Sequence, residues 1–121
     1  MMPGMLVSHI ITVTVPVSDQ DRALAFYTGA LGLEVRTDNP FPMGRWLTVA
    51  PKGAQSTLLL ASWFPDMAPI DGLVLSSPDA GALADRLREH GVDAQGPTDE
   101  PWGRQLLFKD PFGNGFVVTE E

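Results

Sequence analysis

The side chains able to do chemistry in this chain are few, and their types exclude more than they offer. There is no cysteine, so thiolate nucleophiles, thiolate metal ligands and disulfides are all excluded. Only two histidines are present, His9 and His90. No Ser-His-Asp arrangement, phosphate-cradling glycine loop or GxGxxG fingerprint occurs, so acyl transfer, kinase-like and nicotinamide chemistry have no support. Aromatic and sulfur side chains are plentiful instead: Phe41, Met43, Trp46, Trp63, Phe64, Met67 and Trp102, all close to the ends of expected strands. Such a set suits a flat, apolar ligand, and in a small domain it equally serves as core or dimer interface. Arg45 and Arg104 each follow a glycine at the start of an expected strand. Two guanidinium groups there could clamp a carboxylate, phenolate or enolate, or pair with acidic residues across the repeat interface. On strand parity Arg45 and Trp46 face opposite sides, so at most one of such a neighbouring pair enters a shared cup. Thr12, Thr14 and Gln105 add hydrogen-bonding capacity.

The elements that must position these residues follow from residue type and spacing. Residues 9–17 (HIITVTVPV) are rich in Ile, Val and Thr and read as a strand. Ser18 is placed to cap a following helix, with Asp19 and Asp21 in its first turn where the dipole favours negative charge. Ala23, Leu24, Phe26, Tyr27, Ala30 and Leu31 mark one apolar face of that helix, which should stop near Gly29 or Gly32. Short strands are expected at 34–37, 45–50 and 56–61, separated by NPFPMG and PKGAQ. The same order returns: a strand at 72–76, Ser77 as cap with Pro78 in the first turn, and a helix through Leu83, Leu87 and His90 ended by Gly91. Strands are then expected at 92–94, 104–109 and 115–119. At an offset of 59, Ser77 falls on Ser18, Leu83 on Leu24, Gly91 on Gly32, Gly103 on Gly44 and Arg104 on Arg45. The series argues for a duplicated supersecondary unit, neither copy of which can cover its apolar face alone.

Composition agrees with one domain over residues 1–121, with repeats at about 7–61 and 70–119. With 44% hydrophobic residues in 121, the chain can bury a real core. A formal charge of −7 offers phosphate no broad basic surface, so neither nucleic acid nor an anionic membrane is an expected partner. The N-terminal stretch has no positively charged region ahead of its apolar residues and reads as a strand, not a signal peptide. No run reaches the ~18 apolar residues of a membrane helix. With zero cysteines, the cytoplasm is the expected compartment.

Two motifs carry a family resemblance. VPVSDQDRALAFYTGALGLEV resembles the opening signature of vicinal oxygen chelate proteins, the glyoxalase, bleomycin-resistance and extradiol-dioxygenase superfamily, and LLFKDPFGNGFVV resembles their Asp-Pro-x-Gly-Asn turn and last strand. The resemblance spans nearly the whole chain and implies an α+β fold of two βαβββ repeats forming a curved mixed sheet around a cup. In metal-using relatives, His, Glu or Gln side chains on the cup strands hold a divalent ion. Here the first-strand ligand position falls on Thr12, the last-strand position on Val117, its repeat mate on Thr57 or Leu58, and the fourth between Ile70 and Gly72, where Asp71 alone could coordinate. One carboxylate and hydroxyls do not suit zinc, nickel, iron or manganese, so no metal and no other cofactor is expected. His9 lies an odd three residues before Thr12 and so on the opposite strand face; His90 sits in a last helical turn, where a cationic group suits the dipole.

The leading expectation is a homodimeric, metal-free binder of a small aromatic or amphipathic molecule, as in bleomycin resistance, with Thr12, Thr14, Trp46, Trp63, Trp102, Gln105 and Val117 as ligand contacts. A second is a cofactor-free cyclase, dehydratase or isomerase acting on an aromatic or polyketide-like substrate. There Asp71 would be the acid or base, its neutral form favoured in an apolar cup, and Arg45 or Arg104 would stabilise an oxyanion. A third is a metal-dependent glyoxalase or dioxygenase whose ligands fall elsewhere in the sequence. An Asp71 facing solvent favours the binder over the enzyme.

Overall fold

A computed structural model describes Gly4 and residues 6–121. The reading of the extreme N-terminus as other than a signal peptide falls in part on residues 1–3 and 5, outside the described residues. Each repeat builds one four-stranded sheet and one helix. The first contains β1 (Thr12–Pro16), α1 (Gln20–Ala25) continuing into a π turn (Phe26–Ala30), β2 (Glu34–Phe41), β3 (Gly44–Ala50) and β4 (Thr57–Ala61). The second contains β5 (Leu73–Ser77), α2 (Ala80–Glu89), β6 (Gln95–Glu100), β7 (Gly103–Lys109) and β8 (Gly115–Glu120). The sheet orders are β1-β4-β3-β2 and β5-β8-β7-β6, so the expected curved sheet is realised in one chain as two sheets of identical topology. In each, the first strand runs parallel to the last and the other pairs are antiparallel.

Several expected boundaries move for identifiable reasons. Asp19 and Asp79, rather than Ser18 and Ser77, are the helix N-caps, accepting from the amides of Arg22 and Ala82; Ser77 Oγ instead accepts from the Asp79 amide. A carboxylate at the cap satisfies an orphan amide and meets the dipole with a full charge. The strand expected at 9–17 is paired only over Thr12–Pro16, so His9 lies before it and the parity argument does not apply to that residue. The strand expected at 92–94 forms instead at Gln95–Glu100, while the Val92 amide still closes the end of α2 by donating to the Leu87 carbonyl at 2.9 Å. Asn39, Pro40 and Phe41, expected in a turn, extend β2 and pair with Trp46, Arg45 and Gly44. Helix termination follows expectation: Gly32 and Gly91, repeat counterparts, both adopt positive φ (71° and 77°), a conformation that costs glycine little.

Both repeats close on one core. Val15, Leu47, Leu58 and Leu60 from the first sheet and Leu106, Phe108, Phe116 and Val118 from the second belong to a single buried cluster with residues of both helices. The widened π turn carries adjacent Phe26 and Tyr27 into it, edge-on to each other at 5.1 Å. Phe26 also meets Phe108 at 6.4 Å and Tyr27 meets Phe116 at 6.1 Å. The first repeat's helix is thereby held between the inner faces of both sheets. Arg86 of α2 donates two hydrogen bonds to the Gly29 carbonyl at the end of that turn, where the helical ladder leaves an acceptor free.

Candidate functional site

Strand alternation sorts the expected site residues by face. On the first sheet, Thr12, Thr14, Trp46, Thr48 and Leu59 share the parity opposite to the core residues and so lie on the other face, where the Thr37 and Thr48 hydroxyls of neighbouring strands meet at 2.7 Å and Thr48 and Leu59 are buried. At one end of this outer face the aromatic residues gather into a wall. Phe41 closes β2, Trp46 sits on β3, and Trp63 and Phe64 follow β4. Trp46 and Trp63 stack at 5.9 Å and 25°, while Phe41 meets Trp63 edge-on at 4.7 Å and Trp46 at 6.1 Å. Phe64 continues the row at 5.8 Å from Trp63. Trp46 remains 43% exposed and Phe64 45%, with Met43 and Met67 exposed nearby in sequence. Thr12 spends its hydroxyl within the sheet, donating to the Thr57 carbonyl at 3.1 Å.

On the second sheet Gln105, Leu107 and Val117 point outward and are half-buried. Trp102 lies in the β6–β7 turn, 68% exposed, and its indole donates to Gln105 Oε1 at 3.0 Å. Val117 and Asp71 line one open cavity of about 610 Å³ with Leu107, Lys109, Arg22 and His90. Asp71 is exposed and its carboxylate lies over Gly115, where any Cβ would overlap it. A second cavity of about 580 Å³ sits at the seam of β1 and β5, lined by Val13, Leu33, Leu58, Leu73, Leu75 and Leu83. Apart from Thr57 and Leu58, the two alternatives for one metal position, it holds none of the expected site residues.

The two arginines do occupy equivalent places, but on the helix side of their sheets. Arg45 pairs with Asp21 and, at 2.9 Å, with Asp38; Arg104 lies 3.9 Å from Asp99 and 3.8 Å from Glu120. Both sets of partners belong to the same repeat as the arginine, so the ion pairs do not cross the repeat interface. The hydrogen bond from Arg45 holds the Asp38 carboxyl below its ordinary range, and the two carboxylates keep the Arg45 guanidinium protonated.

The former metal positions stay dispersed. Thr12 and Thr57 are joined to each other in the first sheet, whereas Asp71, just before β5, and Val117 of β8 border one cavity of the second. His9 is exposed beside Ser8, and the His90 ring contacts the Arg86 carbonyl at 2.9 Å. Among the described residues, no three His, Asp or Glu side chains come together to hold an ion, and the donor set does not fit a transition metal. The described residues also contain no helix long and apolar enough to cross a membrane.

One buried polar cluster went unread in the sequence. Tyr27, Asp110 and Asn114 are buried together, with the Tyr27 phenol donating to Asp110 at 2.6 Å and Asn114 Nδ2 donating to Asp110 and to the Pro16 carbonyl at 2.8 Å each. Asp110 also accepts from the amides of Phe112 and Asn114. The signal was present in the Phe-Tyr pair and the Asp-Pro-x-Gly-Asn turn, but nothing in either motif pairs them. The aromatic wall and the Trp102–Gln105–Val117 group thus belong to different sheets, each on the side opposite to the shared core.

A sequence model of the Glyoxalase/Bleomycin resistance protein/Dioxygenase superfamily matches residues 8–118. The chain is similar to TnmS3, described as an antibiotic binding protein from Streptomyces sp. CB03234, with 46% identity, a TM-score of 0.89, and 96% and 98% of the two chains covered. It is also similar to a member of the same superfamily from Sphaerobacter thermophilus DSM 20745, with 37% identity, a TM-score of 0.86 and coverage of 97% and 100%. YetH of Bacillus subtilis (strain 168), an uncharacterized protein, is 33% identical over 124 residues, which covers 95% of this chain and all of YetH.

Proposed function

Since the chain belongs to the Glyoxalase/Bleomycin resistance protein/Dioxygenase superfamily, we propose that it binds a small aromatic or amphipathic molecule without a metal and sequesters it, as an antibiotic-binding protein does. The observation that carries this reading is the partly exposed wall of Phe41, Trp46, Trp63 and Phe64 on the outer face of the first sheet. Aromatic side chains give a planar ligand a large apolar contact with defined stacking geometry. The similarity to an antibiotic binding protein at 46% identity points the same way.

These two groups, as half-sites on different sheets, support a homodimer. A partner chain would bring its Trp102, Gln105 and Val117 opposite the aromatic wall, and twofold symmetry would make two such clefts. Asp71 faces solvent instead of an apolar enclosure, which supports binding over acid–base catalysis. A cytoplasmic site of action fits a chain with no cysteine.

The test is native mass spectrometry and metal analysis of the purified protein, followed by titration with bleomycin and a panel of aromatic antibiotics read by tryptophan fluorescence. A metal-free dimer whose fluorescence is quenched saturably by an unaltered ligand is the expected result. A stoichiometric transition metal, or ligand turnover lost in Asp71→Asn, would overturn it.

A further inference from the structure

We propose that Gln20 is a positioning residue for the Trp46–Trp63 stack, an inference that rests on the aromatic wall being the ligand surface. Gln20 is the first residue of α1 and is 9% exposed. Its amide nitrogen donates to the Arg45 carbonyl at 2.7 Å and to the Leu60 carbonyl at 2.8 Å, and its amide oxygen accepts from the Arg45 amide at 3.2 Å. One side chain therefore fixes both main-chain groups of the residue before Trp46 and anchors the strand that leads, three residues on, to Trp63.

Gly44 makes this junction close. A Cβ at Gly44 would stand 3.2 Å from Gln20 Oε1, 3.4 Å from the Trp63 ring and 3.5 Å from Ser62 Oγ. The missing side chain lets the amide and the indole approach one another over the β3 backbone. Buried amides that satisfy main-chain groups on two strands hold them in a single relative placement, because each broken bond would leave a polar group without a partner. The wall's geometry is thus set by a residue at the start of α1, through its bonds to the backbone of β3 and β4. Nothing in the sequence singles Gln20 out, since it reads as an ordinary residue of a first helical turn.

The test compares wild type with Gln20→Met, which keeps length but neither donates nor accepts as an amide does, and with Gln20→Glu. The primary readout is the indole exciton signal in circular dichroism, assigned to the stack by its loss in Trp63→Phe; the second is the affinity for 8-anilinonaphthalene-1-sulfonate as a planar aromatic probe. In folded Gln20→Met the exciton signal should largely vanish and the probe bind about five-fold more weakly, the worth of a lost buried hydrogen bond.

Gln20→Glu should lose the signal at neutral pH, where a carboxylate faces two carbonyl oxygens, and recover it as acid supplies the missing donor. Arg45, Asp21 and Asp38 are the charged groups around this junction, and a parallel wild-type scan records their contribution. Retention of the wild-type exciton signal in Gln20→Met would overturn the proposal. Should Gln20→Met fail to fold, absence of the acid recovery in Gln20→Glu would do so. If wild type shows the exciton signal but binds no aromatic probe or antibiotic, the ligand reading fails while the positioning role stands.

Discussion

The Tyr27 phenol donates a 2.6 Å hydrogen bond to Asp110 across 83 residues of chain, tying the first repeat's π turn to the last turn of the second. Both groups are buried, and Asn114 extends the same network to the Pro16 carbonyl. The contact is polar, yet it sits where the two apolar faces meet. Its consequence is registration: the repeats share a core only in the placement that satisfies this carboxylate.

Tyr27→Phe removes one of the two side-chain donors to Asp110 Oδ2, leaving Asn114 Nδ2 as the other in a buried site. A loss of about 1–3 kcal/mol is expected, measured by urea denaturation as a lower midpoint at unchanged slope.

Tyr27 is the chain's only tyrosine. Burial foremost, then the charge and hydrogen bond of Asp110, push its phenol well above the ordinary 10.0. A raised value stabilises the fold fully below the unfolded-state value and withdraws that stabilisation as pH rises beyond it. The native protein should therefore show no tyrosinate absorbance near pH 10, and the signal should appear only together with global unfolding. A free titration of Tyr27 in folded protein would contradict the buried contact.

Asp38 titrates in the other direction. Its lowered value means that its ion pair with Arg45 contributes above the ordinary aspartate range and is lost as pH falls through the lowered value. Because the pair is partly exposed, Asp38→Asn should cost no more than about 1 kcal/mol at neutral pH. Thermal melts should show that difference shrinking in high salt.

Trp46→Ala removes the exposed half of the indole stack while leaving the core cluster intact. Binding of a planar aromatic ligand should weaken about ten-fold or more, with a melting temperature close to wild type. The fluorescence titration that measures affinity also distinguishes this from Trp102→Ala, whose effect should require the dimer.

Treatment with a chelator should change neither the melting temperature nor the affinity for the aromatic ligand. A drop in either, restored by one divalent metal, would argue for donors that the strand positions around Thr12, Asp71 and Val117 do not supply.

The duplicated unit was legible because it rests on local rules. Glycines recur where helices must stop, apolar residues recur at helical and strand spacing, and both repeats follow the same order of elements. Boundaries were less legible. Ser18 and Asp19 are both good caps, and the choice between them depends on where the first strand releases the chain. Residues 92–94 carry strand-forming types, but the Val92 amide is held by the end of α2 and the strand starts only at Gln95.

At the site, the sequence by itself determined the stock: aromatic residues near strand ends, two arginines in equivalent places, two histidines and no cysteine. Only the tertiary structure decided their use, since side-chain direction depends on pairing register and on which sheet face meets the shared core. It gathered Phe41, Trp46, Trp63 and Phe64 into one wall and set Trp102 and Gln105 on the other sheet. It turned Arg45 toward Asp21 and Asp38. It also joined Tyr27 to Asp110 and Gln20 to the strands behind the tryptophans, because contacts between residues far apart in sequence exist only once the chain has closed on itself.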